Sequence, residues 1–376
     1  MSEWGTLARR LRAAQDRGEP VVVAMVVATD GSAYRRAGAW MTVAPDGGRH
    51  GLLSGGCLEA DVAERAAEVL ASGVPTTVTY DTRRPGDVLW GFGMGCQGVV
   101  RILLEPLSGA SLGRAAELYG RLQNLEANAV LAVDIASGSR VLVAGSAPGD
   151  GEPGAPPEAA GRAREILATG AAVPSIEEIG EREFAFLPVA PRPRLVICGA
   201  GEDAVPLARL ACDLDWSVLV VDHRAALARP ERFPGADVAL VARGTDLPAR
   251  IGARARTGAV VMSHNLERDV EWTAALLPLD LAYLGLLGPK RRGEQVLRTA
   301  APLASGPARA RRILAPVGLD IASETPGEIA LSIVAEISAV LAGRSGGHLA
   351  ATEAPIHRES SAPADPRPKA VDTPSS

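Results

Sequence analysis

Near the middle of the chain the sequence reads Leu195-Val196-Ile197-Cys198-Gly199-Ala200-Gly201-Glu202-Asp203-Ala204. An apolar run that ends in a G-x-G-x-x-A turn is typical of a buried strand that leads into a helix. A second apolar run, Val218-Leu219-Val220-Val221, ends at Asp222, an acidic residue about 20 positions beyond the glycines. Strand, glycine turn, helix, strand and acid in this order predict a Rossmann fold.

The sequence on the two sides of this motif differs in its pattern. After residue 194, helical segments alternate regularly with apolar runs at 195–198, 218–222, 237–242, 258–263 and 281–286. Such alternation predicts a parallel sheet that helices cover on both faces. Before residue 194, helix and strand patterns mix without regular alternation, which predicts an α+β arrangement. No internal repeat is recognisable in the sequence.

We therefore predict an α/β protein in which an α+β domain precedes a Rossmann-like parallel sheet. The α+β domain covers residues 1–190 and includes a Gly/Pro-rich stretch near 145–160, which we expect to be a loop or a flexible insertion. The Rossmann-like domain covers 191–344. The residues that follow, 345–376, are rich in Ser, Pro and charge and are expected to form a disordered tail.

The amino-acid composition argues against some classes of binding partner. The 376 residues carry a net charge of −5, and only 3% of them are aromatic. A negative charge and few rings for stacking argue against a nucleic-acid partner. The N-terminus lacks a signal-peptide pattern, and no apolar stretch approaches the roughly 18 residues that cross a bilayer. We expect a cytoplasmic protein without nucleic-acid or membrane partners.

Two interpretations of the glycine turn stay open. Gly199 and Gly201 would let the backbone approach a pyrophosphate, and Asp222 could bind a ribose, which would make the domain a site for NAD(P). Against this, Glu202 and Asp203 place two carboxylates where a phosphate would lie. The turn could instead serve packing or hold another ligand.

Other polar residues follow the predicted strands of this domain. His264 lies at the carboxyl end of the fourth strand, the edge at which such sheets bind ligands, and is a candidate cofactor contact. Lys290-Arg291-Arg292, after the fifth strand, could either hold an anion or form a solvated helical turn. Thr325-Pro326-Gly327-Glu328 predicts a capping box at the start of a helix.

The four cysteines fall into two pairs. Cys198 ends a buried strand and Cys212 lies within a helix, so both are expected to be inert core residues. Cys57 follows Gly55 and Gly56 and is expected to open a helix, whose N-terminus would stabilise a thiolate. Cys96 follows Gly95 in a second glycine-rich segment. These two thiols are the candidates for chemistry.

Several motifs in linked order resemble the xanthine dehydrogenase accessory (XdhC/CoxI) family. The resemblance covers most of residues 20–343. The motifs that carry it are Ala28-Thr29-Asp30-Gly31-Ser32, Arg36-Ala37-Gly38-Ala39, Leu53-Ser54-Gly55-Gly56-Cys57-Leu58-Glu59, Gly95-Cys96-Gln97-Gly98, Gly199-Ala200-Gly201, Val221-Asp222-His223-Arg224, Ser263-His264-Asn265, Gly285-Leu286-Leu287-Gly288, Ala315-Pro316-Val317-Gly318-Leu319-Asp320 and Glu324-Thr325-Pro326-Gly327-Glu328-Ile329-Ala330.

This resemblance implies a maturation factor that acts more as a cofactor-binding chaperone than as a catalyst. Such a protein would bind molybdenum cofactor (molybdopterin), assist its sulfuration with a cysteine desulfurase and insert it into a molybdenum hydroxylase of the xanthine or CO dehydrogenase type. Cys57 is the first candidate for a sulfur or metal contact and Cys96 the second, because soft thiolates suit such a metal. Backbone N–H groups at Gly55, Gly56 and Gly95 could hold the pterin phosphate.

Two other functions compete with this one at the level of sequence. The first is an NAD(P)-dependent oxidoreductase that uses Gly199, Gly201 and Asp222. The second is a protein-interaction module with an inert Rossmann core. The sequence leaves the client enzyme open, and it leaves a homodimer among the alternatives for the oligomeric state.

Overall fold

Two units, Ser2–Pro191 and Arg192–Ser376, make up the computed structural model. The structure describes residues 4–31, 33–81, 83, 98–145, 149–171, 173–241, 243–252 and 256–351. Most of the predicted tail, 352–376, lies outside the described residues. In the described ranges, no helix is both long and apolar enough to cross a membrane.

The first half of the N-terminal unit is a five-stranded antiparallel sheet with two helices. Its elements, in chain order, are α1 (Trp4–Arg17), β1 (Val21–Gly31), β2 (Trp40–Val43), β3 (Arg49–Gly51), α2 (Glu59–Ser72), β4 (Thr76–Asp81) and β5 (Gly98–Leu107). The strand order is β3-β2-β1-β5-β4. β1 is central because its β-branched run is buried on both faces.

The second half repeats this topology. Its elements are α3 (Gly109–Gln123), β6 (Ala129–Asp134), β7 (Arg140–Ala144), β8 (Asp150–Gly151), α4 (Pro157–Thr169), β9 (Ser175–Ile179) and β10 (Arg182–Val189). The order β8-β7-β6-β10-β9 matches that of the first sheet, strand for strand. The fold is therefore duplicated here, although the sequence shows no repeat.

The two halves share one core. α1 and α3 pack together between the inner faces of the sheets, where the ring of Trp4 stacks on that of Tyr119 at 5.5 Å. The outer face of the first sheet packs against α2, and that of the second packs against α4. Each sheet is thus covered on both faces, which explains the long apolar runs in its central strands.

Part of the predicted Gly/Pro-rich insertion is ordered structure. Within 145–160, the short strand β8 joins the edge of the second sheet, and α4 begins at Pro157. The expectation of a loop or flexible insertion is wrong for β8 and for the start of α4, whereas 152–156 connect the two. Proline is compatible with the first helical position, since its missing N–H would have no partner there, so the same composition can begin a helix.

The C-terminal unit is a Rossmann fold, as predicted. Its elements are β11 (Arg194–Cys198), α5 (Ala204–Asp213), β12 (Ser217–Asp222), β13 (Asp237–Leu240), α6 (Leu247–Ile251), β14 (Thr257–Val261), α7 (Leu266–Leu276), β15 (Tyr283–Leu286), α8 (Lys290–Ala300), β16 (Ile313–Leu314) and α9 (Pro326–Leu341). The six strands are parallel in the order β13-β12-β11-β14-β15-β16. Apolar clusters cover both faces of the sheet.

Candidate functional site

Three connecting segments meet one end of the first N-terminal sheet. They join β1 to β2, β3 to α2 and β4 to β5, and the antiparallel strand order brings all three to the same end. We call them the end connections; they are residues 32–39, 52–58 and 82–97. Their counterparts in the duplicated half, 135–139, 152–156 and 180–181, are all shorter. All three of the longer connections therefore begin and end at one end of one sheet.

The connection 52–58 is held by a buried carboxylate. Glu59, at the start of α2, accepts hydrogen bonds from the Leu53 N–H (3.0 Å), the Ser54 N–H (2.8 Å) and the Ser54 hydroxyl (2.5 Å). The Ser54 Oγ in turn accepts from the N–H groups of Gly56 and Leu58. Five hydrogen bonds thus order a glycine-rich segment that has no regular secondary structure.

The electrostatics of Glu59 fit this role. Burial alone would raise the pKa of its carboxyl, but the hydrogen bonds from Ser54 and from nearby backbone N–H groups outweigh burial and hold the pKa below its ordinary value. The side chain is therefore ionised at neutral pH, and its negative charge is matched by donors from the segment that it organises.

Cys57 is exposed within this ordered connection. α2 begins at Glu59, with Leu58 as its N-cap, so Cys57 lies just before the helix instead of opening it as predicted. Gly56 has a φ of +106°, a conformation that favours glycine. The thiol is accessible to a ligand, and the backbone on its N-terminal side carries no side chains at Gly55 and Gly56.

Two other features adjoin this end of the sheet. The ring of Tyr34, from the connection 32–39, lies against Gly55: a Cβ there would be 3.7 Å from Tyr34 Cδ2. Arg83, after β4, forms ion pairs with Asp30 (2.8 Å) and Asp81 (3.1 Å). The side chains of Tyr34 and Arg83 are both exposed. The predicted residues Gly95 and Cys96 lie outside the described residues.

In the Rossmann unit, the structure brings the predicted residues Gly199, Gly201, Asp222 and His264 to the carboxyl edge of the sheet. Gly199 has a φ of +126°, and a Cβ at this position would lie 2.6 Å from the Met262 carbonyl oxygen. This glycine is required for close packing between two strand ends. The turn then leads into α5, which begins at Ala204.

Asp222 is completely buried and its oxygens are occupied by groups of the same unit. The Ala200 N–H donates to Oδ2 at 2.7 Å, and the Arg224 backbone and guanidinium donate to both oxygens at 2.8–2.9 Å. Burial opposes ionisation, but these hydrogen bonds hold the pKa of Asp222 below its ordinary value. Asp222 therefore links the end of β12 to the glycine turn that follows β11.

The two carboxylates of the turn have cationic or histidine partners. Arg232 forms an ion pair with Glu202 (2.7 Å) and also donates to the Ala200 carbonyl (2.6 Å). The exposed His264 places Nε2 at 3.2 Å from Asp203 Oδ2 and adopts a φ of +60°. Arg232 therefore offsets part of the negative charge that the sequence places at this turn.

Hydrogen bonds from neighbouring residues hold the loop that carries His264. Ser263 donates its N–H and its hydroxyl to the buried Asp269, which also forms an ion pair with Arg292 at 2.7 Å. Asn265 caps α7 by accepting from the Arg268 N–H. These bonds stabilise the left-handed conformation of His264, which costs free energy in a residue other than glycine.

Sequence reasoning missed three of the residues described above. Glu59 stands out in the sequence only as part of a motif, since nothing in its spacing from Ser54 shows that one carboxylate collects three donors. Arg232 is distant in sequence from the turn that it contacts. Tyr34 gives no sequence signal beyond being an aromatic residue in a polar segment.

The chemistry of the N-terminal site fits a ligand with a soft metal and a polar ring system. An accessible thiol is a soft donor, and bare glycine backbone offers N–H and C=O groups at close range. Among the described residues, no group of three or more His, Cys, Asp and Glu side chains could hold a metal ion by itself.

Fold and site together define a class: an α+β unit with an accessible thiol in a glycine-rich connection, followed by a Rossmann unit. Family models match both parts, "XdhC and CoxI family" at residues 14–81 and "XdhC Rossmann domain" at 195–337. A Bacillus subtilis protein, described as a probable subunit of xanthine dehydrogenase, is 33% identical over 85% of this chain and 92% of its own length. The chain belongs to the XdhC and CoxI family.

Two further relatives agree with this assignment. The Escherichia coli molybdenum cofactor insertion chaperone PaoD is 26% identical over 86% of this chain and 84% of its own length. A crystal structure from Bacillus halodurans, described as a xanthine dehydrogenase, superposes with a TM-score of 0.71 at 28% identity and covers 92% of this chain and 98% of that one. The predicted family and fold class are confirmed.

Proposed function

We propose that this protein is an accessory factor that binds molybdenum cofactor, assists its sulfuration and inserts it into a molybdenum hydroxylase of the xanthine or CO dehydrogenase type. The observation that carries the proposal is the accessible thiol of Cys57 in a connection ordered by Glu59 and Ser54. The names of the B. subtilis and E. coli relatives support the class of cargo and the class of client.

Each residue of the connection has a distinct task in this proposal. A cysteine desulfurase would carry out the sulfuration, while this chain would hold the cofactor by its molybdenum centre and its pterin. Cys57 contacts that centre as a soft ligand. Gly55 and Gly56 let the backbone approach the pterin closely. The Gly55 N–H would face its polar atoms or phosphate, whereas the Gly56 N–H donates to Ser54 Oγ. Ser54 and Glu59 keep the connection in the binding conformation.

Gly95 and Cys96 belong to the same proposal as a second contact. The described ends of their connection, Asp81 and Gly98, lie at the end of the sheet that also carries residues 52–58. In the Rossmann unit, Gly199, Gly201, Asp222 and His264 form the proposed second surface. There Asp222 acts by holding the turn, because it is buried, whereas the exposed His264 is the residue that a ligand can reach.

The test compares single cysteine variants after expression with the cofactor pathway. Molybdenum and pterin contents of the purified wild-type protein are measured beside those of Cys57→Ala and Cys96→Ala, with Cys212→Ala as the control in the other unit. We expect cofactor in the wild type and in the control, and a severalfold loss in Cys57→Ala together with reduced activation of the client hydroxylase. A wild-type protein that carries neither molybdenum nor pterin would refute the proposal.

A further inference from the structure

Tyr34 differs from the other aromatic residues of the described chain. Its side chain is 58% exposed, whereas every other Phe, Tyr and Trp in the described ranges is buried. Aromatic side chains are scarce in this protein, at 3% of the residues, and the cores use nearly all that are described. An exposed ring forgoes the favourable transfer from water that burial provides, so its position needs a reason other than folding.

The ring is held beside the thiol-bearing connection. A Cβ at Gly55 would lie 3.7 to 3.9 Å from three atoms of the Tyr34 ring, which is ordinary van der Waals contact. The ring therefore lies beside Gly55, at a distance that an added methyl group would span, while more than half of Tyr34 is exposed to solvent. Because Gly55 is two residues before Cys57, the exposed ring and the exposed thiol flank the same stretch of backbone.

The surrounding chain supports a site for a flat, anionic molecule. Tyr34 lies in the connection 32–39, which is longer than its counterpart 135–139 in the duplicated half, so the same topology is built there with fewer residues. Arg35 and Arg36 follow directly and add positive charge to it. An exposed aromatic face in a segment that carries two arginines suits a ligand that combines a heterocycle with a phosphate.

We propose that Tyr34 is a stacking platform for the pterin ring system of the cofactor and holds that ring next to Cys57. This inference rests on the proposed function and adds a contact to it: the thiol meets the metal end of the ligand, and the tyrosine face meets the planar end. Stacking needs only the ring, so the phenolic hydroxyl has no part in it.

The test uses Tyr34→Ala and Tyr34→Phe in the full chain, with Val74→Ala as the control. Val74 is 59% exposed, like Tyr34, and follows α2 at the opposite end of the same sheet, so its variant also removes exposed apolar surface. Molybdenum cofactor released anaerobically from a purified molybdenum enzyme is titrated into each protein, and binding is followed by fluorescence quenching. Circular dichroism checks that each variant is folded.

The expected pattern separates the two proposals. Loss of a stacked ring weakens binding about tenfold or more, so we expect this in Tyr34→Ala, with Tyr34→Phe and Val74→Ala close to the wild type. If the wild type binds the cofactor and Tyr34→Ala binds equally well, the stacking proposal is wrong and the accessory function stands. Equal losses in Tyr34→Phe and Tyr34→Ala would assign the contact to the hydroxyl and overturn stacking. A wild type without affinity for the cofactor refutes both.

Discussion

Replacing Glu59 by Gln changes one atom of the site and is expected to destabilise the N-terminal unit. The carboxylate accepts three hydrogen bonds, and each bond to a charged acceptor contributes about 1 kcal/mol more than a bond to a neutral one. In Glu59→Gln, the amide oxygen can still accept from the Leu53 and Ser54 N–H groups. The amide nitrogen, however, is itself a donor and would face Ser54 Oγ, which already accepts from two N–H groups. The expected loss is about 2–3 kcal/mol.

The assay is thermal unfolding of the wild type, Glu59→Gln and the control Glu64→Gln. Glu64 is exposed on the same helix, so its variant should stay within about 0.5 kcal/mol of the wild type. For a unit of this size, each kcal/mol lowers Tm by about 2–4 °C. Amide hydrogen exchange in peptides that cover 53–58 should rise in Glu59→Gln, because four of those N–H groups depend on Glu59 or on Ser54.

The pH dependence provides a second test of the same reasoning. The pKa of Glu59 is lower in the folded protein than in the unfolded chain, so its stabilisation is complete above about pH 4.3 and is lost as the pH falls through the folded pKa. The stability difference between the wild type and Glu59→Gln should therefore be equal at pH 7 and pH 6 and should shrink in acid. A difference that is absent at pH 7, or constant down to pH 3, would refute the argument.

Three further predictions follow from single contacts. Gly56→Ala should destabilise by about 1–3 kcal/mol because of its φ of +106°, whereas Gly55→Ala should change Tm little; equal effects would contradict the role of conformation. Iodoacetamide should modify Cys57 in the native protein but Cys198 only after denaturation, because burial shields the Cys198 thiol and raises its pKa. Mass spectrometry of the labelled peptides measures this, and labelling of Cys198 in the native protein would contradict its burial in the core. Thr325→Ala should cost about 1 kcal/mol in calorimetry through loss of the capping box, and an unchanged transition would show that the cap contributes nothing.

The Rossmann unit was predictable from sequence because its signals are local and redundant. Buried parallel strands are apolar at every position, so β11 and β12 are recognisable as continuous runs. The capping box at Thr325 is confirmed for the same reason, since all its groups lie within four residues. The buried Cys198 is confirmed as well, whereas Cys212 is only partly buried.

The duplicated sheets were not predictable in the same way. Their edge strands, β3 and β8, have only a few residues, and Arg49-His50-Gly51 has no apolar alternation to reveal a strand. These strands form by backbone pairing with β2 and β7, a tertiary interaction that their own residues do not signal. The contact between Tyr34 and Gly55 was hidden for a related reason, because it joins two connections through the topology of the sheet.

The duplication also explains why function can be assigned to one end of one sheet. Both halves of the N-terminal unit build the same strand order, with one helix on each face of the sheet. Residues 135–139, 152–156 and 180–181 show the short connections with which this topology is complete. The same topology is thus built with shorter connections than 32–39, 52–58 and 82–97. Long loops on a rigid scaffold are where binding residues concentrate. The buried hydrogen bonds of Glu59 point the same way, because they order a glycine-rich segment that presents the thiol of Cys57 to solvent.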